Sequence, residues 1–261
     1  MYFIDVQGTL IDDIEKKPIS GSIDLIKELN LKKVPYIIVT NSTKQESVIF
    51  LKYLNEIGLE IPKSRYLDPL MVLENILLSK DILAFGVDGF LQVLKNRGYK
   101  IDSEKPKTIL LGVKHDYSYI EYSQIIETLL ANPEIKLVGM HGTSIYSKNG
   151  VRFAGVGAIL EMLKFATNRD YKIVGKPSKT FYKTALNMLG KKDFSQVTMI
   201  SDDLKGDLNG AKSLGMKTVF VLSGKIKSLD EVLPYSSENK KPDFIRNSVK
   251  DIFLDISQKN V

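Results

Sequence analysis

The sequence of 261 residues contains no cysteine, and this absence excludes several kinds of chemistry. A chain without cysteine has no disulfide, no zinc–thiolate site and no thiol nucleophile. Only two histidines are present, His115 and His141, which are too few for a histidine-rich metal site. We expect His115 to be a surface residue.

Long apolar runs are also absent, since no stretch approaches the ~18 consecutive apolar residues of a membrane helix. The carboxylate of Asp5 lies so near the first residue that we expect no signal peptide. A hydrophobic content of 43% over this length supports one large or two modest domains with a substantial core. These features predict a soluble, cytoplasmic protein without a membrane partner.

The net charge of +6 arises from 37 basic and 31 acidic residues that are spread over the chain. No run of five like charges occurs, and the glycine and aromatic signature of an RNA-binding sheet is missing. We therefore expect no nucleic-acid partner. A modest positive field of this size favours the approach of a phosphorylated substrate.

Strand-like and helix-like runs alternate along most of the chain, which predicts βαβ units and a parallel sheet. The first half of a doubly wound core is predicted from strands at 2–11 and 36–39 and helices at 22–31, 46–57 and 69–78. The alternation starts again with strands at 82–86, 108–112 and 136–140, none of which ends in a carboxylate pair. The predicted fold class is thus α/β, with a doubly wound parallel-sheet core and an inserted α/β cap domain.

The domain boundaries follow from this alternation. We predict the first half of the core at 1–78, the cap at 79–168 and the second half of the core at 169–261. The core is expected to resume with a strand at 171–174 and to continue with strands at 197–200, 218–222 and 243–245. Residues 235–242 are polar and predict a loop.

Asp5 is the most informative candidate, because it directly follows an apolar strand and precedes a turn that contains Gly8. A carboxylate at the end of a parallel strand points to the sheet edge where α/β proteins bind ligands. Asp5 is therefore a candidate nucleophile. The alternative is that its side chain only caps a turn.

Three later segments supply partners for Asp5, each at or near a strand end. Thr40 and Asn41 follow the second predicted strand, and Lys176 lies between a short apolar run and a probable helix start. The strand at 197–200 leads into three clustered carboxylates, Asp202, Asp203 and Asp207. Carboxylate oxygens suit Mg²⁺ better than zinc. Taken singly, these residues could instead cap helices, face solvent or form turns.

The order of these motifs resembles that of the haloacid dehalogenase superfamily, whose first motif reads Asp-x-Asp-Gly-Thr. The resemblance covers nearly the whole chain. It is strongest to the branch of p-nitrophenyl phosphatases and NagD-type proteins with a large cap, through residues 18–22, 175–178 and 209–216. The chain is also similar to the phospholysine phosphohistidine inorganic pyrophosphate phosphatase group, in which a small non-acidic residue replaces the second aspartate.

The resemblance implies a role for each candidate. Asp5 would attack phosphorus and form an aspartyl-phosphate, while Lys176 would neutralise the charge of Asp5 and of the phosphate. Thr40 and the amide of Asn41 would bind phosphoryl oxygens. Mg²⁺ would be held by the Asp5 carboxylate, the Gln7 main-chain carbonyl and Asp202. Asp203 or Asp207 would contribute through water.

Gln7 stands where most phosphatases of the superfamily have the second aspartate, and Ser201 stands where relatives usually have glycine. An amide cannot donate or accept a proton usefully near neutral pH, although it can orient a water molecule. Losing a general acid–base commonly costs about 10²–10⁴-fold in rate. The substitution therefore favours substrates with good leaving groups, namely phosphoanhydrides, acyl phosphates and aryl phosphates.

Residues 140–146 follow a predicted cap strand, and in similar proteins such a segment overhangs the core site. His141 and Tyr146 would then contact the leaving group, or else only line the domain interface.

Two other functions are open: a metal-free hydrolase such as a dehalogenase, and a protein that binds a phosphorylated ligand or a protein partner without turnover. The resemblance also allows a homodimer.

Overall fold

The computed structural model describes residues 1–148, 150–228, 231 and 240–258. Six of its strands form one sheet in the order β12-β11-β10-β1-β2-β3, and every pair is parallel. The bounds of these strands are β1 Tyr2–Ile4, β2 Tyr36–Val39, β3 Tyr66–Leu67, β10 Thr198–Ser201, β11 Lys217–Val221 and β12 Phe244–Arg246.

A second parallel sheet has the order β4-β5-β6-β9, with β4 at Ile82–Phe85, β5 at Thr108–Leu111, β6 at Lys136–Gly139 and β9 at Tyr171–Ile173. The expectation that the core resumes with residues 171–174 is therefore wrong. Strand β9 pairs with β6, in the register Leu137 to Tyr171, and so completes the second sheet. The inserted layer thus continues through Ile173, and the core elements return after it.

The segment between β6 and β9 also contains an antiparallel hairpin, β7 (Ile145–Lys148) paired with β8 (Val151–Ala154). The alternation of the sequence did not predict this hairpin, because its strands are short and only partly buried.

Helices connect the strands of both sheets. Their bounds are α1 Ser22–Leu31, α2 Ser47–Glu56, α3 Pro69–Val72, α4 Asp88–Asn96, α5 Tyr119–Ala131, α6 Val156–Thr167, α7 Lys179–Met188, α8 Asn209–Ser213 and α9 Val249–Gln258. The helix predicted at 69–78 is shorter than expected, since α3 gives way to a 3₁₀ turn at Leu73–Asn75. Most of the loop predicted at 235–242 lies outside the described residues.

The centre of the first sheet is its most buried part. Phe3 and Ile4 of β1 and all four residues of β2 are buried, because helices cover both faces of the sheet. Two apolar clusters result, one on each face, around Phe3 and around Ile4. The alternation of Phe3 and Ile4 between the clusters follows from the period of two of a strand.

Strand β1 lies between β10 and β2, and the chain runs outward from it in both directions. The order of the strands therefore reverses beside β1, which is the place where open α/β sheets form a crevice for ligands. The predicted doubly wound α/β class is confirmed. In the described part of the chain, we found no helix long and apolar enough to cross a membrane.

Candidate active site at the sheet edge

Asp5 directly follows β1, the strand beside which the strand order reverses, and only 5% of its surface is exposed. Its amide donates to the Ile200 carbonyl of β10 at 3.0 Å, so that the strand pairing fixes its backbone. The Lys176 ammonium contacts its Oδ1, and the Thr9 hydroxyl lies 3.4 Å from its Oδ2. The predicted nucleophile is thus a buried carboxylate held against a cation.

The turn after Asp5 requires glycine at position 8. Gly8 has a φ of +75°, and a Cβ there would lie 2.4 Å from Oδ2 of Asp202 and 2.8 Å from Cα of Gly224. A side chain would therefore strain the backbone and collide with two other segments. This close approach allows the loops after β1, β10 and β11 to meet.

Lys176 is the cation of the site, and only 1% of its side chain is exposed. Besides Asp5, its Nζ contacts Oδ2 of Asp207 at 2.7 Å, and the Ser201 hydroxyl donates to the same oxygen at 2.7 Å. Burial disfavours the ammonium charge, but the Asp207 and Asp5 carboxylates outweigh it and raise the pKa of Lys176. The lysine therefore stays charged between two carboxylates.

Asp202 and Asp203 follow β10, and both are held by Lys225, which follows β11. The Lys225 amide donates to Oδ2 of Asp202 at 3.0 Å, and its Nζ contacts Oδ2 of Asp203 at 2.7 Å. The Gly206 amide donates to the other oxygen of Asp203 at 2.8 Å, at the start of the π-helical turn Leu204–Leu208. Lys225 is itself 11% exposed and lies at the rim of the cluster.

The four carboxylates differ in their pKa values. Burial raises the pKa of Asp5 to about 6 and that of Asp207 to about 6, although Lys176 opposes the change in both. Burial likewise raises the pKa of Asp202 to about 7. The pKa of Asp203 is lowered, since Lys225 and the Gly206 amide overcome the effect of burial.

The charges at this edge do not balance. Four carboxylates, Asp5, Asp202, Asp203 and Asp207, face the two ammonium groups of Lys176 and Lys225, which leaves an excess of two negative charges when all are ionised. One divalent cation would neutralise that excess, and an all-oxygen donor set fits Mg²⁺. Among the described residues, no group of three or more acidic or histidine side chains is arranged so that it could hold a metal ion by itself, and the donor set proposed below includes a main-chain carbonyl.

Thr40 and Gln7 lie next to each other. The Thr40 hydroxyl donates to Oε1 of Gln7 at 3.0 Å and accepts from the Ser42 amide at 3.1 Å. Thr40 is fully buried, whereas Gln7 lies on the wall of the cavity. The predicted phosphoryl-binding hydroxyl is therefore covered by the side chain that replaces the second aspartate.

Asn41 joins the core to the inserted layer. Its Oδ1 accepts from the Lys176 amide at 2.9 Å, and its Nδ2 lies 3.4 Å from the Thr143 hydroxyl. The Asn41 side chain thus fixes the backbone of the catalytic lysine candidate and contacts a loop that follows β6.

A cavity of about 880 Å³ opens above the carboxylates between the two sheets. His141 and Tyr146 line it together with Asp5 and Lys176, so the structure brings both predicted leaving-group contacts to the same space. His141 is buried, while Tyr146 is half-buried and stacks on Phe153 of the hairpin, with 5.7 Å between the ring centres.

Lys225 is the residue that the sequence analysis missed. It follows a predicted strand at 218–222, just after Gly224, and so satisfies the same strand-end rule that selected Asp5 and Thr40. A lone lysine in a polar segment carries little signal, because most lysines are solvated. Its contacts with Asp202 and Asp203 distinguish it.

Comparison with known families agrees with this arrangement. The family described as haloacid dehalogenase-like hydrolase matches residues 2–100, which contain Asp5 and Thr40. A second family of the same type, described as HAD-hydrolase-like, matches residues 173–252, which contain Lys176 and the carboxylates after β10. The two matches together cover more than half of the chain.

Individual relatives agree with both families. The phospholysine phosphohistidine inorganic pyrophosphate phosphatase of Danio rerio is 27% identical over 243 residues, which cover 88% of this chain and 86% of that protein. The p-nitrophenyl phosphatase of Archaeoglobus fulgidus has a TM-score of 0.80 at 23% identity, with 97% and 98% of the two chains covered. NagD of E. coli K-12 has a TM-score of 0.74 at 19% identity, with 96% of each chain covered. The strand order, the carboxylate cluster around Asp5 and the two family matches together show that this chain belongs to the haloacid dehalogenase-like hydrolases.

Proposed function

We propose that the chain is a Mg²⁺-dependent phosphatase that acts through an aspartyl-phosphate on a small phosphorylated compound with a good leaving group. The observation that carries this proposal is the buried Asp5 carboxylate, which contacts Lys176 at the floor of an open cavity. A phosphoryl group bound there would meet a nucleophile and a fixed cation together, which its charged transition state needs.

The first chemical step would use Asp5 and Lys176. An oxygen of Asp5 would attack phosphorus, the bond from phosphorus to the leaving oxygen would break, and the enzyme would hold an aspartyl-phosphate. Lys176 neutralises negative charge on Asp5 before the attack and would face the equatorial phosphoryl oxygens during it. Asp207, the second carboxylate that contacts Lys176, holds the ammonium in place at a distance of 2.7 Å from Oδ2 to Nζ.

The metal would bind to Asp5, the Gln7 main-chain carbonyl and Asp202. Bound Mg²⁺ would supply positive charge to the phosphoryl oxygens and lower the repulsion between the nucleophile and its substrate. Asp203 or Asp207 would contribute through water, because their oxygens already accept other hydrogen bonds. Both oxygens of Asp203 are engaged, by Lys225 and by the Gly206 amide, and Oδ2 of Asp207 accepts from both Lys176 and Ser201. The excess of two negative charges in the cluster supports a divalent ion over a monovalent one.

The substrate class follows from Gln7, which has no proton to give to a leaving oxygen. Anhydrides, acyl phosphates and aryl phosphates lose leaving groups that are stable as anions, so they depend least on that proton. Phosphoramidates are a further candidate, since the similar Danio rerio protein is named for phospholysine and phosphohistidine. His141 and Tyr146 would contact the leaving group from the wall of the cavity.

The inserted layer, residues 79–173 once β9 is included, would act as a cap that covers this substrate. The homodimer that the resemblance allows stays a possibility. A second function, binding of a phosphorylated ligand without turnover, is favoured by one observation: the side chain at position 7, beside Thr40, is a glutamine that cannot serve as a general acid or base.

The test is phosphate release from a panel of anhydride, acyl, aryl, alkyl and N-phosphorylated compounds, with Mg²⁺ and with EDTA. We expect Mg²⁺-dependent release that is fastest with acetyl and p-nitrophenyl phosphate. Asp5→Asn should abolish it, since the amide has a similar shape but is a far poorer nucleophile. The matched control is Asp24→Asn, on an exposed position in the first turn of α1.

Three results would contradict the proposal. Release that continues undiminished in EDTA would favour the metal-free hydrolase. Binding of phosphorylated compounds without release would favour the non-enzymatic function. Equal rates in the Asp5→Asn variant and the wild type would remove Asp5 from the mechanism.

A further inference from the structure

His141 is buried at the wall of the catalytic cavity and lacks a hydrogen-bond partner. Only 5% of its surface is exposed, and its Nδ1 contacts no donor or acceptor within the described part of the chain. Buried polar atoms of native proteins are almost always paired, so an unpaired ring nitrogen on a residue that lines a cavity calls for a functional explanation.

The backbone holds this ring beside the catalytic lysine candidate. On one side of His141, the Met140 carbonyl accepts from the Gly175 amide at 2.9 Å. On the other side, the Gly142 amide donates to the Lys176 carbonyl at 2.9 Å. The backbone on both sides of His141 is thus joined to the segment that carries Lys176, whose ammonium contacts Asp5.

The surroundings keep the imidazole neutral. Burial, with smaller contributions from the nearby Lys225, Lys176 and Lys44, lowers the pKa of His141 to about 4, although Asp203 opposes the change. A neutral imidazole has one N–H and one free lone pair. Near neutral pH, the ring is therefore able to accept a proton but has none to donate as an acid.

The proposed reaction contains a step that needs such an acceptor. Hydrolysis of an aspartyl-phosphate requires a water molecule to lose a proton while it attacks phosphorus opposite the Asp5 oxygen. Gln7 has no basic group, and the lysines of the cluster are charged. The carboxylates beside Asp5 are engaged by Lys176, by Lys225 or by the proposed Mg²⁺. The water would occupy the cavity from which the leaving group has departed, and His141 lines that cavity.

We infer that His141 is the general base for hydrolysis of the aspartyl-phosphate, a catalytic role that the chain has moved from position 7 to the wall contributed by the inserted layer. The inference rests on the proposed function. In this step, the water oxygen forms a bond to phosphorus, the bond from phosphorus to the Asp5 oxygen breaks, and the water proton passes to the imidazole. Phosphate then leaves, and the imidazolium returns its proton to solvent.

The test compares His141→Gln with His115→Gln. These are the two histidines of the chain, and His115 lies outside the cavity wall, where its ring contacts Lys148. Each protein is mixed rapidly with p-nitrophenyl phosphate and Mg²⁺, p-nitrophenol is followed optically, and acid-quenched samples are analysed by mass spectrometry for phosphorylated Asp5.

We expect His141→Gln to release a rapid burst of about one p-nitrophenol per site and then to turn over about 10²-fold or more slowly than wild type. Phosphorylated Asp5 should accumulate during the slow phase, since the first step needs no base. His115→Gln should behave as wild type. Added imidazole should accelerate the slow phase of His141→Gly, in which the cavity has room for it.

Wild-type turnover in His141→Gln would overturn the inference. A slower burst without accumulation of phosphorylated Asp5 would overturn it too, because the residue would then only contact the leaving group. If His141→Gln does not fold, as judged by circular dichroism, His141→Asn is tested by the same criteria. Absence of phosphate release by wild type and His115→Gln alike would overturn the phosphatase proposal, and this inference with it.

Discussion

Lys176 allows a quantitative test of the site that needs no substrate. Its side chain is 1% exposed and its ammonium contacts both Asp5 and Asp207. The change Lys176→Met keeps most of the aliphatic stem and removes the charge, which leaves two buried carboxylates without their cation. We expect this loss to destabilise the protein far more than the loss of a surface ion pair.

Removing one partner of a buried ion pair costs about 3–5 kcal/mol. For a chain of this size, each kcal/mol lowers the melting temperature by about 2–4 °C, so the expected decrease is about 6–20 °C. The assay is thermal unfolding by circular dichroism in EDTA at neutral pH. The matched control is Lys164→Met, since Lys164 forms an exposed pair with Asp170 at 2.7 Å and its loss should leave the melting temperature near that of wild type.

The difference between wild type and Lys176→Met should also depend on pH. Asp5 and Asp207 have pKa values raised to about 6, so the folded protein binds more protons than the unfolded chain between about pH 4 and 6. Protonation at low pH removes the charges that Lys176 balances, and the difference in melting temperature should shrink below pH 6. A difference that is small, or that is constant from pH 5 to 8, would refute this account of the cluster.

Three further substitutions test the metal site and Gln7. Asp202→Asn should raise the Mg²⁺ concentration needed for activity more than the KM for substrate; an unchanged Mg²⁺ titration would show that the metal binds elsewhere. Lys225→Met should lower the melting temperature of the metal-free protein. Added Mg²⁺ should raise the melting temperature of this variant by more than it raises that of wild type, because the excess negative charge of the cluster is larger; an equal increase in both proteins would contradict this. Gln7→Asp should increase kcat/KM more for an alkyl than for an aryl phosphate, since only the alkyl leaving oxygen needs a proton; a uniform fall for both would mean that Gln7 is fitted to this pocket.

The strand-end residues were predictable because a parallel sheet obeys a simple rule. Each βαβ unit returns the chain in the same direction, so Asp5, Thr40 and Asp202 had to reach one edge once their strands were recognised. The apolar runs before them identified those strands without any knowledge of contacts. Fold class and the strand-end positions of these candidates therefore followed from local pattern, while their roles came from the resemblance of the ordered motifs to the haloacid dehalogenase superfamily.

Pairing between distant segments could not be obtained in this way. Strand β9 is a short segment, Tyr171-Lys172-Ile173, whose sequence does not show which sheet it joins, and its pairing with β6 assigns it to the second sheet. The short hairpin β7–β8 likewise has partly exposed strands, whose sequence lacks the strong alternation of a half-buried strand.

The sequence by itself determined which chemical groups this protein has: one nucleophile candidate in the first motif, a glutamine in place of the second aspartate, and a set of carboxylates without cysteine. Tertiary structure decided how these groups are paired. It placed Lys225 on Asp203, turned the Thr40 hydroxyl toward Gln7 and left Nδ1 of His141 without a hydrogen-bond partner among the described residues. The reason is physical, since charge balance and hydrogen bonding in a buried cluster depend on distances of a few ångströms between loops that lie far apart in the chain.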